Sequence, residues 1–219
     1  MDRFDAIRKE VCTQAGKMCA AGLVTVSAGN LSARLEDDSG LVAVTPTSIP
    51  WDQLEASHIS VARIADGEAI DSQFPMSSEM PLHLAIYRAR KDVGGIVHTH
   101  SPYVSALSVL QRPLPPVIDE MAAHFGGEVP VAQYAFTGTL DLGENVVATL
   151  GSGPAVILAN HGNVCVGTTV AEALELAIRM EATAEIYVLA LQAGDPVPLP
   201  EDAIRRGREM YLARRDSRK

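Results

Sequence analysis

Six histidines stand at positions 58, 83, 98, 100, 124 and 161. Two of them, in His98-Thr99-His100, are two residues apart. In an extended chain such residues project from the same face, about 6.5–7 Å apart along the strand, so both imidazoles can converge on one ion. The pair follows Gly94-Gly95-Ile96-Val97, an apolar strand-like run, and strand ends of α/β proteins are where sites are built. A third imidazole, His161, lies in Asn160-His161-Gly162, directly after the apolar run 154–159. A polar Asn-His pair there is costly to bury unless its groups are satisfied. Gly162 lets the backbone turn sharply or approach a ligand. Taken alone, this segment reads equally as a strand-end turn with a hydrogen-bonded histidine.

Three neutral imidazoles with one open position form the catalytic zinc pattern, and a carboxylate can complete the set. Glu79 is the candidate. It opens a helical pattern over 79–89, where the positive helix end favours an ionised carboxylate, although an ordinary first-turn glutamate fits the same pattern. His83 is four residues on and shares that helical face. It reads as a core-edge neighbour rather than a ligand.

A second group of polar residues has no metal character. Gly29-Asn30-Leu31-Ser32, Thr47-Ser48 and Ser77-Ser78 are three short segments in loops. Hydroxyls, an amide and loop N–H groups, with a helix N-terminus behind Ser77-Ser78, can cradle a phosphate without a cation. Turns and caps explain each segment by itself. The lysines are Lys9, Lys17, Lys91 and Lys219, and none lies in an apolar strand that would depress its pKa. Imine chemistry therefore finds no candidate. No Gly-x-Ser-x-Gly is present and no cysteine adjoins a histidine, so a serine or cysteine nucleophile is equally unsupported.

The elements that must hold these residues follow from the spacing of apolar positions. Phe4, Ile7, Val11, Ala15, Met18 and Gly22 recur at helical intervals and predict a helix over 3–22. Strand-like runs are expected at 23–26, 31–35 and 41–44, then a loop at 45–50 where two prolines remove donors. Residues 59–64 and 68–70 flank Asp66-Gly67, a hairpin-turn pair. Ser77-Ser78 are natural N-caps for the helix over 79–89. Further strands are expected at 94–98, 129–132 and 154–159. Thr169-Val170-Ala171-Glu172 has the form of a capping box that opens a long helix ending at Gly194, and 201–215 is a last helix. This alternation predicts α/β or α+β layers in one domain.

The composition agrees. The chain has 219 residues, 47% apolar and 21% charged, enough for one sizeable core. Its formal net charge of -9 argues against nucleic acid and anionic membrane surfaces as partners, but not against a small anion in a pocket. No stretch approaches the roughly 18 apolar residues of a membrane span, and no signal-peptide run follows the N-terminus. Cys12, Cys19 and Cys165 form no CxxC and cannot all pair, which fits a reducing cytoplasm; Cys12 and Cys19 read as small core residues.

Five motifs then come together. Ser27-Ala28-Gly29-Asn30-Leu31-Ser32-Ala33-Arg34, Thr45-Pro46-Thr47-Ser48-Ile49-Pro50, Ser77-Ser78-Glu79, Gly95-Ile96-Val97-His98-Thr99-His100 and Asn160-His161-Gly162 occur in the order and spacing of the class II aldolase/adducin family. The chain resembles that family over nearly its whole length. The resemblance implies a single domain, residues 1–219, with a central, mostly antiparallel sheet flanked by helices. It implies a homotetramer with sites between subunits. It also implies Zn2+, or another divalent ion such as Mn2+ or Co2+, on His98, His100 and His161, with Glu79 as both ligand and proton carrier. Asn30, Thr47, Ser48, Ser77 and Ser78 fall on phosphate-binding positions.

The implied reaction splits a ketose 1-phosphate into dihydroxyacetone phosphate and a small aldehyde through a metal-stabilised enediolate. Two departures stand out. Ser48 replaces a glycine of the aldolase branch, and the segment 116–121 has no tyrosine where that branch carries one. Glu120, or Tyr211 from a neighbouring subunit, is then the candidate acid on the aldehyde side. Pentulose-phosphate 4-epimerases of the family usually carry Asp after the paired serines, so Glu79 favours the aldolase. Glu79 does not separate aldolases from the 3-oxo-tetronate phosphate decarboxylases. A non-catalytic adducin-like scaffold lacks the histidines that are present here.

Overall fold

The apolar stripe near the N-terminus forms helix α1, Asp5–Ala20, with Val11, Ala15 and Met18 fully buried. The computed structural model describes residues 3–37 and 40–217, and of Asp216 the backbone alone. After α1 come β1 (Asn30–Arg34), β2 (Leu41–Val44), β3 (Ser60–Arg63) and β4 (Ala69–Asp71). Helix α2 (Met80–Ala89), β5 (Gly95–Thr99), α3 (Pro102–Leu110), α4 (Asp119–Phe125) and β6 (Val131–Ala132) follow. The chain continues through α5 (Leu140–Leu150), β7 (Ala155–Leu158), β8 (Gly162–Gly167), α6 (Val170–Ala193) and α7 (Glu201–Asp216). Among the described residues the strands form one eight-stranded sheet in the order β4-β3-β2-β1-β5-β8-β7-β6. Only β6 and β7 run parallel; every other pair is antiparallel.

The alternation of strand side chains divides the core into two layers. Leu31, Ala33, Val97 and Cys165 pack with α1, α3, α4 and α6 on one face. Val42, Val44, Ile96, Val164 and Val166 pack with α2 and α5 on the other. The strand parity that sends Val97 to the first face sends His98 to the second, under α2. Gly94 and Gly95 let the start of α6 close over β5. A Cβ on Gly94 would stand 2.0 Å from the Thr168 carbonyl oxygen, and one on Gly95 2.2 Å from the Val170 nitrogen.

The loop over 45–50 and the strands at 41–44 and 94–98 fall where their residues predict. The hairpin at Asp66-Gly67 forms with Gly67 at φ +80°. Other expectations fail for local reasons. Residues 23–26 form no strand: Leu23 and Val24 are buried, but Val26 adopts φ +54° and is 77% exposed. Only Val131–Ala132 of the run 129–132 is strand, with Val129 bridged to Leu114. Cys19 is exposed rather than a core residue, whereas burial pushes the Cys165 thiol up to about 12. The box at Thr169 is half made. Thr169 Oγ1 accepts from the Glu172 N–H, but the Glu172 carboxylate turns to Thr168. Lys9, Lys17 and Lys91 are exposed, and Lys219 lies outside the described residues. No helix among the described residues is long and apolar enough to cross a membrane.

Candidate active site

Three neighbouring strands and one helix end build the site. Asn30 on β1 sits directly across from His98 on β5, and His98 across from Val164 on β8. His100 follows β5 by one residue. His161 belongs to the three-residue turn between Leu158 and Gly162 that joins β7 to β8. Asn160 takes φ +55° in this turn, a conformation that asparagine tolerates better than most residues. The turn is fastened to α3: the His161 N–H donates to Ser108 Oγ at 2.7 Å, and that hydroxyl donates to the Leu158 carbonyl at 2.6 Å. Gly162 is required by close approach. A Cβ there would lie 2.2 Å from the Thr99 oxygen and 3.0 Å from His100 Cδ2.

The three imidazoles form a nearly equilateral triangle, with ring centroids 4.7, 4.8 and 4.8 Å apart. His98 Nε2 and His100 Nε2 approach to 2.9 Å. Glu79 Oε2 lies 3.0 Å from His98 Nε2, and Oε1 lies 3.4 Å from His161 Nε2. One ligand atom from each of these four residues falls within 4.8 Å of all the others. His98 Nδ1 faces the Asn163 carbonyl at 2.9 Å, which fixes a proton on Nδ1 and directs Nε2 inward. Burial and the neighbouring imidazoles push His100 down to about 3, and burial with His98 brings His161 to about 4. Both rings are therefore neutral near pH 7. Burial alone would lower His98 and raise Glu79, but their mutual attraction wins: His98 is raised and Glu79 is held well below the usual carboxylate range. Three imidazole nitrogens and an ionised carboxylate aimed at one point are a donor set that fits a divalent transition ion, which would take the place of the proton shared by His98 and Glu79.

Glu79 is placed by more than its helix. The chain enters α2 one residue later than its pattern predicts. Glu79 occupies the N-cap position, and Ser77 Oγ accepts the Glu79 N–H at 3.2 Å. Its carboxylate oxygens accept from Asn30 Nδ2 and Thr137 Oγ1, each at 2.8 Å. His83 is fully buried, and desolvation pushes it down to about 3; its Nε2 contacts Asn30 Oδ1 rather than the imidazole triangle.

A cavity of about 420 Å³ opens beside the cluster. Asn30, Thr47, Ser77 and Ser78 line it together with Glu79, His100 and His161. Tyr134, Phe136 and Thr137 also line it. No residue in the 134–137 loop stood out in the sequence, because a threonine far along the chain carries no local signature. Ser48 is exposed and outside the lining; its φ of +62° is the left-handed conformation that a glycine adopts without strain. Tyr211 is also apart, with its ring 4.4 Å from that of His124 on α4. Glu120 pairs with Arg179 at the surface.

A sequence profile described as the class II aldolase and adducin N-terminal domain matches residues 9–188. The chain belongs to the class II aldolase/adducin family. Within this family, an L-fuculose phosphate aldolase of Escherichia coli O6:H1 is 37% identical over 186 residues, 85% of this chain and 84% of that one. A 5-methylthioribulose-1-phosphate/5-deoxyribulose-1-phosphate aldolase of Rhodospirillum rubrum is 34% identical over 206 residues, covering 94% and 91%. The solved structure of an L-fuculose 1-phosphate aldolase matches with a TM-score of 0.90 at 32% identity, over 94% of this chain and 96% of that one. The class II aldolase fold thus extends over almost all of the sequence.

Proposed function

We propose that this chain is a metal-dependent aldolase that interconverts a ketose 1-phosphate with dihydroxyacetone phosphate and an aldehyde. One observation carries the proposal: the Glu79 carboxylate stands between a convergent imidazole cluster and a cavity walled by Thr47, Ser77 and Ser78. His98, His100 and His161 would hold the ion, for which Zn2+ is the first choice and Mn2+ or Co2+ the alternatives. When bound, it supplies Lewis-acid polarisation of the substrate ketone and hydroxyl oxygens. Glu79 takes or returns the proton at the carbon beside the ketone, its direction set by Asn30 and Thr137. The cavity volume suits a small phosphorylated sugar.

Among the described residues no lysine or arginine lines that cavity, so the phosphate would be met by hydroxyls, a backbone segment and the start of α2. Asn30 has one amide hydrogen left for this role, the other being given to Glu79. Ser48, exposed beside Thr47, belongs to the proposal through its polar loop and its resemblance-based position. We assign Tyr211 of a neighbouring copy in a homotetramer as the aldehyde-side phenol. The three unpaired cysteines support a cytoplasmic location.

The test is incubation of the Zn2+-loaded protein with dihydroxyacetone phosphate and a panel of aldehydes, followed by product identification. A new ketose 1-phosphate is expected, lost on chelation and restored by the ion. Unphosphorylated dihydroxyacetone should react far more slowly. Absence of any condensation across the panel would refute the reading.

A second expectation concerns Ser78, whose side chain is exposed at the cavity wall. Ser78→Ala should weaken binding of the phosphorylated ketose by about 1–3 kcal/mol, the range of a charge-assisted hydrogen bond. Binding of the unphosphorylated ketose should stay as it was. Equal changes for both ligands would place the phosphate elsewhere.

A further inference from the structure

A ladder of buried polar side chains leads away from Glu79 through the otherwise apolar layer between α2 and the sheet. On α2 and its N-cap, Glu79, His83 and Tyr87 recur every four residues and share one face. On β1, Asn30 and Ser32 alternate with the buried Leu31 and share the opposite parity. Four helical residues rise about 6 Å and two strand residues about 6.6 Å, so the two rows interdigitate. The contacts follow in order. Asn30 Nδ2 donates to Glu79 Oε2 at 2.8 Å, His83 Nε2 meets Asn30 Oδ1 at 2.5 Å, Ser32 Oγ lies 2.6 Å from His83 Nδ1, and Tyr87 Oη lies 2.9 Å from Ser32 Oγ. His83, Ser32 and Tyr87 are fully buried.

The ionised carboxylate fixes the direction of every bond. Glu79 can only accept, so Asn30 must present its N–H side to it and its carbonyl to His83. His83 must then carry its proton on Nε2 and accept on Nδ1. Ser32 must donate to Nδ1 and accept from Tyr87. Reversing the amide of Asn30 would set its carbonyl oxygen against the Glu79 carboxylate, exchanging a hydrogen bond for repulsion. The N–H of His83 holds the amide from its other side, so that its plane as well as its orientation is fixed.

We propose that Tyr87, Ser32 and His83 are positioning residues which lock the Asn30 amide and thereby aim the Glu79 carboxylate. This rests on the assignment of Glu79 as the proton carrier. None of the three touches the imidazole triangle or lines the cavity. They therefore act on turnover rather than on the binding of metal or substrate.

The test uses full-length, metal-loaded Tyr87→Phe, His83→Leu and His83→Gln proteins, with metal content, KM, kcat and thermal unfolding measured for each. Tyr87→Phe keeps the ring that packs under the Arg34 guanidinium, 4.8 Å from its centroid. His83→Leu should retain its metal and hold KM within about threefold while kcat falls about 10–100-fold, the usual range for residues that orient a site from behind. His83→Gln, whose amide can offer an N–H to Asn30, should recover most of that loss. Tyr87→Phe should lower kcat in the same direction by a smaller factor. Unchanged kcat in both Tyr87→Phe and His83→Leu overturns the proposal, as does a Gln variant no better than Leu.

Nitrogen-15 spectra of the metal-free wild type provide a readout independent of activity, including the case in which His83→Leu does not fold. The neutral His83 ring should be protonated on Nε2. Protonation on Nδ1 would overturn the proposal. A wild type that condenses no aldehyde but shows the Nε2–H form would remove the aldolase reading and leave the ladder standing.

Discussion

The His98→Ala/His100→Ala protein is expected to emerge from dialysis without a stoichiometric divalent ion and without aldol activity. The two Nε2 atoms lie 2.9 Å apart, and both rings point into the shared cluster. Removing them leaves His161 and Glu79, two donors that cannot form the closed set that holds a structural or catalytic ion. Lewis-acid stabilisation worth several kcal/mol disappears with the metal, so the rate should fall by about 1000-fold or more. Metal analysis and the condensation assay on one preparation check both halves, with thermal unfolding as a control because His98 is completely buried. Full metal occupancy in the double variant would refute the ligand assignment.

Glu79→Gln should behave in the opposite way with respect to the ion. The three imidazoles remain, and the glutamine keeps the size of the side chain and a carbonyl oxygen. What it lacks is the capacity to accept a proton. In the free site His98 and His161 hold the carboxylate ionised against the effect of burial. Substrate in the cavity displaces water, and a drier carboxylate becomes a stronger base, with its pKa moving toward neutrality. Solvent deuterium exchange into dihydroxyacetone phosphate, run without aldehyde, isolates this step. The exchange rate should fall by about 100-fold or more while metal content stays full. Exchange near the wild-type rate in a metal-replete Glu79→Gln protein would remove Glu79 from proton transfer.

Much of this site was legible because its signals are local. His98-Thr99-His100 is a two-residue spacing, and Ser77-Ser78-Glu79 stands at a helix start. The turn at His161 follows a run of apolar residues that could only be a strand. What escaped was set by distant contacts. Strand β8 carries Asn163 and Cys165 among its valines, a pattern too short to separate from the turn before it. The run 23–26 has strand propensity in Leu-Val-Thr-Val, but Val26 is left-handed and exposed, and the chain turns there into the cavity-lining residues Ser27, Ala28 and Gly29. Thr137 reaches Glu79 from a position 58 residues away, with no motif around it. The spacing of Glu79, His83 and Tyr87 was visible, yet its meaning depends on β1 lying beside β5 beneath α2. Glu120 and Tyr211 were carried by resemblance and Ser48 by resemblance and its polar loop, and within one chain the fold brings none of them into the cavity lining.

Helix α3 joins two of the metal-site histidines in a way that bears on how the family can vary. Its first residue, Pro102, follows His100 after a single serine. Near its far end Ser108 grips the His161 turn, while Glu181 of α6 accepts the Tyr103 and Val104 N–H groups at 2.8 and 3.0 Å. The helix is thus a strut between His100 and His161, and its length is the gauge for their separation. One added residue would turn Ser108 by about 100° away from His161. The 134–137 segment is held to the site at Thr137, which donates to Glu79, while the exposed side chains of Tyr134 and Phe136 can change to suit a different sugar. Divergence in substrate can accumulate there while the strut keeps the ion-binding geometry within tolerance.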